Sequence, residues 1–194
     1  MLAVRTNLLL AAAYLFTIPL LRGIANLDMV HSAECLEQSV ILIGIFLIVP
    51  LNVPEQSKAI QEAVYTRKVS HWRILLLRLA MATLFMIMRV CLFAGIMIWE
   101  NCTFPFMAYV AGTVISAMAL GGFGFAVSVL SNSAIARYLV SAGYFLLNVL
   151  GNIPEESVFY LFSMGKGNYI TKIYLLGWSM LMMAGALTYV RKKK

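Results

Sequence analysis

The chain has 194 residues, of which 62% are hydrophobic and only 12% are charged, and its mean hydropathy is +0.87. Soluble domains carry about 25% charged residues, so this composition excludes a water-soluble domain and predicts an all-α protein that crosses the membrane several times. In such a protein the formal net charge of +7 indicates orientation in the bilayer rather than affinity for nucleic acid.

Apolar runs long enough to cross about 30 Å of hydrocarbon predict six transmembrane helices within one domain, residues 1–194. Their approximate bounds are 7–21, 36–53, 74–99, 105–130, 134–150 and 173–190. The first follows Arg5 like a secretory signal, but no clean small-residue cleavage site comes after it, so we expect it to be retained. The second run is short, and we expect its helix to extend back through residues 36–38.

Positive charges predict which way the helices face. An even number of spans places both termini on one side. Ten Lys and Arg residues lie on that side: Arg5, Lys58, Arg67, Lys68, Arg73, Arg137 and Arg191 to Lys194. The other side holds three: Arg22, Lys166 and Lys172. The positive-inside rule therefore predicts a multi-pass protein of the plasma membrane with both termini in the cytoplasm.

The two longer predicted outside segments are residues 22–38 and 151–172. The first is a polar loop that contains Asp28, Glu34 and Glu37. The second is too short and too charged to cross the bilayer, so it predicts a re-entrant or interfacial helix pair between spans five and six. Cys35 and Cys102 both fall outside, where a disulfide and two free thiols are both open alternatives.

Small residues recur in the fourth span. Gly112 and Ser116, and likewise Gly122 and Ala126, are spaced four apart and would let neighbouring helices approach closely. Packing is one interpretation of these pairs, and a substrate path is the other.

The sequence lacks the motifs of an enzyme. It contains no Gly-x-x-x-x-Gly-Lys-Ser/Thr loop, so this chain is not expected to bind ATP. Its two histidines, His31 and His71, fall in loops on opposite faces, and no Cys/His cluster predicts a metal. No Ser/His/Asp set can be assembled within the spans either.

The longest polar segment on the cytoplasmic side is Pro54–Arg73. Pro54 suits a first helical position, and Ala59, Ile60, Ala63 and Val64 fall on one helical face. The pattern predicts a short amphipathic helix, then a break at Ser70, an N-cap for the third span. An ordinary charged loop is the alternative interpretation on spacing alone.

Arg89 lies near the middle of the third span. A charge at that depth costs at least about 2.5–3.5 kcal/mol, so it normally faces a partner or a wet cavity. No carboxylate was expected at matching depth, which leaves backbone carbonyls, water, a lipid or substrate headgroup, or another subunit as its partner. We predict that Arg89 lines a translocation cavity.

The polar segment resembles the cytoplasmic loop of ABC transporter permeases of the type-2 export class. The resemblance rests on Glu55-x6-Glu62 followed by Thr66-Arg67-Lys68-Val69-Ser70-His71-Trp72-Arg73 and the apolar start of span three. Ala59 stands where that family usually has Gly, and Lys68 where it has Pro. The chain also starts almost at span one, without the family's amphipathic helix before it.

The resemblance implies a transporter half that is not itself an enzyme. Residues 55–66 would be a coupling helix that docks on a separate ATPase subunit, which binds ATP and Mg²⁺. The docking residues it implies are Glu55, Lys58, Glu62, Arg67, Lys68, Ser70 and His71. A second permease subunit, the same or homologous, would complete the route for an amphipathic lipid, peptide or drug-like substrate. The alternative is a non-transporting regulator, scaffold or assembly factor.

Overall fold

The structure, a computed structural model, describes residues 2–51, 71–131, 133–151, 153–154 and 157–192. Within these ranges the chain is helical and contains no β-strand. The helices are α1 (Leu2–Arg22), α2 (Met29–Leu51), α3 (His71–Trp99), α4 (Phe106–Ser131), α5 (Ala134–Val149) and α6 (Ile170–Lys192). A short 3₁₀ turn covers Met164–Lys166. The predicted all-α class is confirmed.

Four of these helices, α2, α3, α4 and α6, are long and apolar enough to cross a membrane. The apolar parts of the other two, Thr6–Arg22 and Ile135–Val149, are shorter than the roughly 20 residues that a crossing needs. The described chain is therefore a helical membrane protein with four candidate spans. The prediction of six full spans is wrong.

The segment after α5 explains why that helix is short. Leu161, Ser163 and Met164 are each no more than 2% exposed, so this part of the chain packs among the helices instead of lying on the surface. This segment occupies space among the helices that further turns of α5 would otherwise take. The described part of 151–169 contains one 3₁₀ turn and no helix pair, and Lys172, predicted to lie outside, belongs to α6.

The helix ends gather at two ends of the bundle. At one, the Asn26 N–H donates to the Glu100 carbonyl at 2.9 Å and the Thr103 N–H donates to the Leu27 carbonyl at 3.1 Å. We call this the Glu100 end. At the other, the His71 end, Arg191 of α6 lies over the ring of Trp72 in α3. The first residues of α1 and the last of α6 both lie toward the His71 end.

Helix α2 begins at Met29, so most of the predicted polar loop 22–38 is helical. Its hydrogen bonding changes along its length: residues Cys35–Ser39 form a π-helical section and Val40–Leu42 a 3₁₀ section. Such π sections are frequent at functional sites. The Tyr14 hydroxyl of α1 donates to the Ser39 carbonyl at 2.9 Å at this irregularity.

Helix α4 is the centre of the bundle. Its apolar stretch is 78% buried, against 33% for α3 and 22% for α6. Helix α2 crosses it closely, because a Cβ added to Gly44 would overlap the Ala117 carbonyl. Gly122, one of the predicted small residues, faces Met183 of α6, as the packing interpretation expected.

Cys35, Cys91 and Cys102 are all free thiols in the structure. Cys35 and Cys102 are 3% and 7% exposed, and the Cys102 Sγ donates to the Ile24 carbonyl at 2.9 Å. Of the two alternatives for Cys35 and Cys102, the structure has the free thiols.

Candidate functional site

A buried ion pair joins α2 to α6. The Lys172 Nζ lies 2.5 Å from the Glu37 Oε1, and the two side chains are 3% and 2% exposed. Lys172 also donates to the Ser116 hydroxyl at 2.6 Å and to the Leu161 carbonyl. The Met164 N–H donates to the Glu37 Oε1 at 3.0 Å. Charges tolerate burial only when they are paired and hydrogen-bonded in this way.

The positions of the two residues in their helices explain why Lys172 needs a negative partner. Lys172 lies in the first turn of α6, where the helix dipole disfavours a positive charge. Glu37 supplies the compensating negative charge from the π-helical section of α2. The irregular hydrogen bonding of α2 is thus centred on the carboxylate that neutralises α6.

The same network holds the segment that follows α5. The Leu161 N–H donates to the Asn148 Oδ1 at 2.8 Å, and the Tyr144 hydroxyl donates to the Phe159 carbonyl at 2.7 Å. The Ser116 hydroxyl donates to the Leu161 carbonyl at 3.3 Å. Non-helical backbone inside a membrane protein must find such partners within the protein, and here α4 and α5 provide them.

A cavity of about 280 Å³ opens beside the ion pair, between α2 and the segment after α5. Its polar lining comes from six residues: Glu34, Glu37, Gln38, Asn148, Tyr160 and Lys166. Glu37, which is almost completely buried, forms part of this lining. Both charge signs line the space, so it is suited to a polar or zwitterionic group.

A second cavity, of about 270 Å³, lies between α1, the end of α2 and α3. Its walls are mainly apolar and include Leu47, Leu77, Met81 and Phe85, while Asn7 and Arg78 are its polar residues. It lies toward the His71 end. The two cavities therefore differ in chemistry as well as in position.

Arg89 is half-buried on α3, and its Nη2 donates to the Leu8 carbonyl of α1 at 3.4 Å. Backbone carbonyls were one of the alternatives for this charge. Leu8 also lines the second cavity, so the guanidinium reaches one of its walls. That Arg89 lines a translocation route stays a prediction.

Glu37 was predicted in the polar loop 22–38 and at the interfacial start of span 36–53, and the structure buries it within α2. The sequence offered a signal: Glu37 falls within the predicted span 36–53, and Lys172 immediately precedes the predicted span 173–190. Opposite charges at the ends of two spans are candidates for pairing. Ser116 was predicted to serve packing or a substrate path, and its hydrogen bond to Lys172 was missed because it depends on where Lys172 lies.

Most of the predicted docking residues lie outside the described residues. This holds for Glu55, Lys58, Glu62, Arg67, Lys68 and Ser70, which fall in 52–70. His71 is described, as the first residue of α3. The segment connects the end of α2 at Leu51 to the start of α3.

Among the described residues, no group of three or more His, Cys, Asp and Glu side chains could hold a metal ion. No protein-family model, no curated protein and no solved structure matches this chain. The function is therefore inferred from its own residues.

Proposed function

We propose that this chain is the membrane-spanning permease subunit of an ATP-driven ABC exporter of the type-2 class. The observation that carries the proposal is the polar segment Pro54–Arg73. It combines two glutamates, Glu55 and Glu62, with the run from Thr66 into the start of α3. In this proposal Glu62 and its neighbours contact a separate ATPase subunit that binds ATP and Mg²⁺.

The arrangement of the helices supports this role. Helices α2 and α3 are both long enough to span a membrane, and the polar segment joins them. The start of α1 and the end of α6 lie toward the same end of the bundle, and most Lys and Arg residues are predicted to lie on that side. By the positive-inside rule we assign the His71 end to the cytoplasm, where ATPase subunits work.

The second cavity supports an amphipathic substrate. Pro50 and Leu51, which lie four and three residues before Pro54 at the start of the polar segment, form part of its lining. A movement of the docked segment would therefore act directly on a cavity wall. The mainly apolar walls suit a hydrocarbon chain, and Arg78 and Asn7 suit a polar headgroup. A second permease subunit would close the route on the side that one chain leaves open.

Copurification tests the proposal. The chain is purified in mild detergent from its native host, and a partner that carries a Gly-x-x-x-x-Gly-Lys-Ser/Thr loop is sought by mass spectrometry. Glu62→Arg should remove that partner or uncouple ATP hydrolysis from transport. Glu100→Arg, the same charge reversal on an exposed glutamate at the opposite end, is the matched control and should retain both.

Two outcomes would contradict the proposal. Intact protein that never carries such an ATPase would favour the regulator, scaffold or assembly-factor alternative. Full transport and complex yield for Glu62→Arg would place the docking contact elsewhere.

Cysteine labelling tests the orientation. In a cysteine-free background, Thr103→Cys at the Glu100 end should react with an impermeant thiol reagent on intact cells, whereas Lys192→Cys should not. Both positions are exposed. The reverse pattern would place the His71 end outside and would exclude ATPase docking at the polar segment.

A further inference from the structure

Two arginine side chains from different helices meet on one tryptophan at the His71 end. The guanidinium carbon of Arg73, in α3, lies 5.8 Å from the ring centroid of Trp72. The guanidinium carbon of Arg191, near the end of α6, lies 5.9 Å from the same centroid. Cation–π attraction to the indole holds both groups in place, so each positive charge lies within about 6 Å of the centre of the same ring.

Nothing in the described part of the chain neutralises these charges. Among the described residues, neither the Asp28–His31 contact nor the pair of Lys172 with Glu37 involves Arg73 or Arg191. Both arginines are exposed, and the next residue, Lys192, adds another exposed positive charge. Exposed positive charges gathered at one end of the bundle attract anions.

The location identifies the kind of anion. Arg73 and Arg191 lie at the ends of two span-length helices, and tryptophan is enriched where membranes meet water. Phospholipid phosphates lie at that level. The guanidinium fork matches phosphate geometry, and the N-terminal end of α3 also favours negative charge. Leu76, one turn further into the membrane, is 44% exposed and offers apolar surface to an acyl chain.

We propose that Arg73 and Arg191, held on Trp72, bind the phosphate groups of anionic phospholipids in the leaflet at the His71 end. The site is independent of the transport proposal, since it requires neither an ATPase subunit nor a substrate. Basic sites between transmembrane helices are a general way for proteins to select anionic headgroups.

Trp72 itself can report the binding. Trp99→Phe and Trp178→Phe leave it as the single tryptophan. Trp99 is 87% exposed, and Trp178 packs edge-on against Phe159, so phenylalanine is a conservative replacement at each. The protein is reconstituted in phosphatidylcholine vesicles that contain increasing fractions of acyl-brominated phosphatidylglycerol or acyl-brominated phosphatidylcholine. Bromine quenches indole fluorescence only when the lipid is in contact.

Phosphatidylglycerol should quench Trp72 at a lower mole fraction than phosphatidylcholine, with a preference of about five-fold for each arginine involved. Arg73→Gln and Arg191→Gln should each reduce the preference, and the double variant should abolish it. Added salt should weaken it as well. Arg22→Gln is the matched control: Arg22 lies at the Glu100 end and donates to the Gln38 Oε1 at 2.7 Å, so the preference should persist.

Equal quenching by the two lipids at low salt would overturn the proposal. So would loss of the preference when inorganic phosphate is added at the lipid's concentration, because the site would then bind soluble anions. If the isolated chain shows no preference and the double variant instead loses a partner subunit, the arginines bind a protein and the lipid assignment is wrong.

Discussion

Lys172 and Arg89 are two positively charged residues within span-length helices, and they differ in burial and in the number of their hydrogen-bond partners. Lys172 has a carboxylate, a hydroxyl and a carbonyl as partners and is almost fully buried. Arg89 is half-buried and has one long bond to the Leu8 carbonyl. The comparison teaches that the Glu100 half is built around fixed polar geometry, whereas the region around Arg89 leaves its charge free to find other partners.

The structural surroundings follow the same division. Around Lys172 the backbone departs from regular α-helix in two places, the π section of α2 and the segment after α5. Around Arg89 the helix is regular, and the nearby cavity has mainly apolar walls. We infer that the first region maintains the fold and that the second is where a ligand could act.

The largest expected effect comes from Lys172→Met. It leaves the Glu37 carboxylate buried without its countercharge, which costs about 3–5 kcal/mol in free energy of unfolding. The free energy of unfolding is measured in detergent, and the loss of the helical circular dichroism signal reports the unfolding. The double variant Glu37→Gln/Lys172→Met should recover much of the loss, because no uncompensated charge remains. Equal loss in the single and double variants would show that the charge pair is not what holds this region.

Gly112→Val tests how the segment after α5 is seated. A Cβ at Gly112 would overlap the thioether of Met164, so valine should cost about 1–3 kcal/mol and raise hydrogen exchange in residues 157–166. Gly185→Val is the matched control, since nothing lies within 4 Å of a Cβ there. Similar exchange in the two variants would contradict the close seating of Met164.

Arg89→Leu should change the free energy of unfolding by about 1 kcal/mol or less, because it removes one long hydrogen bond. If the proposed function holds, substrate-stimulated ATP hydrolysis should nevertheless fall, and Arg89→Lys should retain part of it, since the charge persists without the planar fork. Normal transport by Arg89→Leu would show that Arg89 has no role in transport and that its only partner among the described residues is the Leu8 carbonyl. Failure to assemble would make Arg89 a structural residue and remove the contrast with Lys172.

The smallest effect is expected at the exposed contact between Asp28 and His31. The hydrogen bond between Asp28 and His31 Nδ1, 2.7 Å long, holds the pKa of the Asp28 carboxyl below its ordinary value. The contribution to stability is therefore present above the unfolded pKa of about 3.9, and is lost as pH falls through the lower folded pKa. Asp28→Asn should slightly destabilise the protein at neutral pH and match the unchanged chain at low pH. If the difference in stability between Asp28→Asn and the unchanged chain grew as the pH falls, the assigned direction of the Asp28 pKa shift would be wrong.

Much of the helix pattern could be predicted from hydropathy. Predicted spans 105–130 and 134–150 correspond to α4, Phe106–Ser131, and α5, Ala134–Val149. Apolar runs define helices because each backbone must satisfy its own hydrogen bonds in lipid. The predicted end of α5 lies within one residue of the observed end. Hydropathy could not show that the segment after α5 packs among the helices, since side chains from α4 and α5 hold that segment.

The ion pair could not be predicted with the same ease. Glu37 and Lys172 lie far apart in the sequence, and each is close enough to a span's end to be interpreted as an interfacial charge. Only the packing of α2 and α6 around α4 brings them together. The contacts of Glu62 and the other docking residues stay predictions, since they depend on a partner chain.

Because Glu37 and Lys172 lie far apart along the chain, they are synthesised at different times. Glu37 emerges from the ribosome when most of the protein does not yet exist, and at about 5–20 residues per second its countercharge follows on the order of ten seconds later. Throughout that interval the Glu37 carboxylate lacks its countercharge. The ion pair, and with it the link between α2 and α6, can form only after the start of α6 has been made.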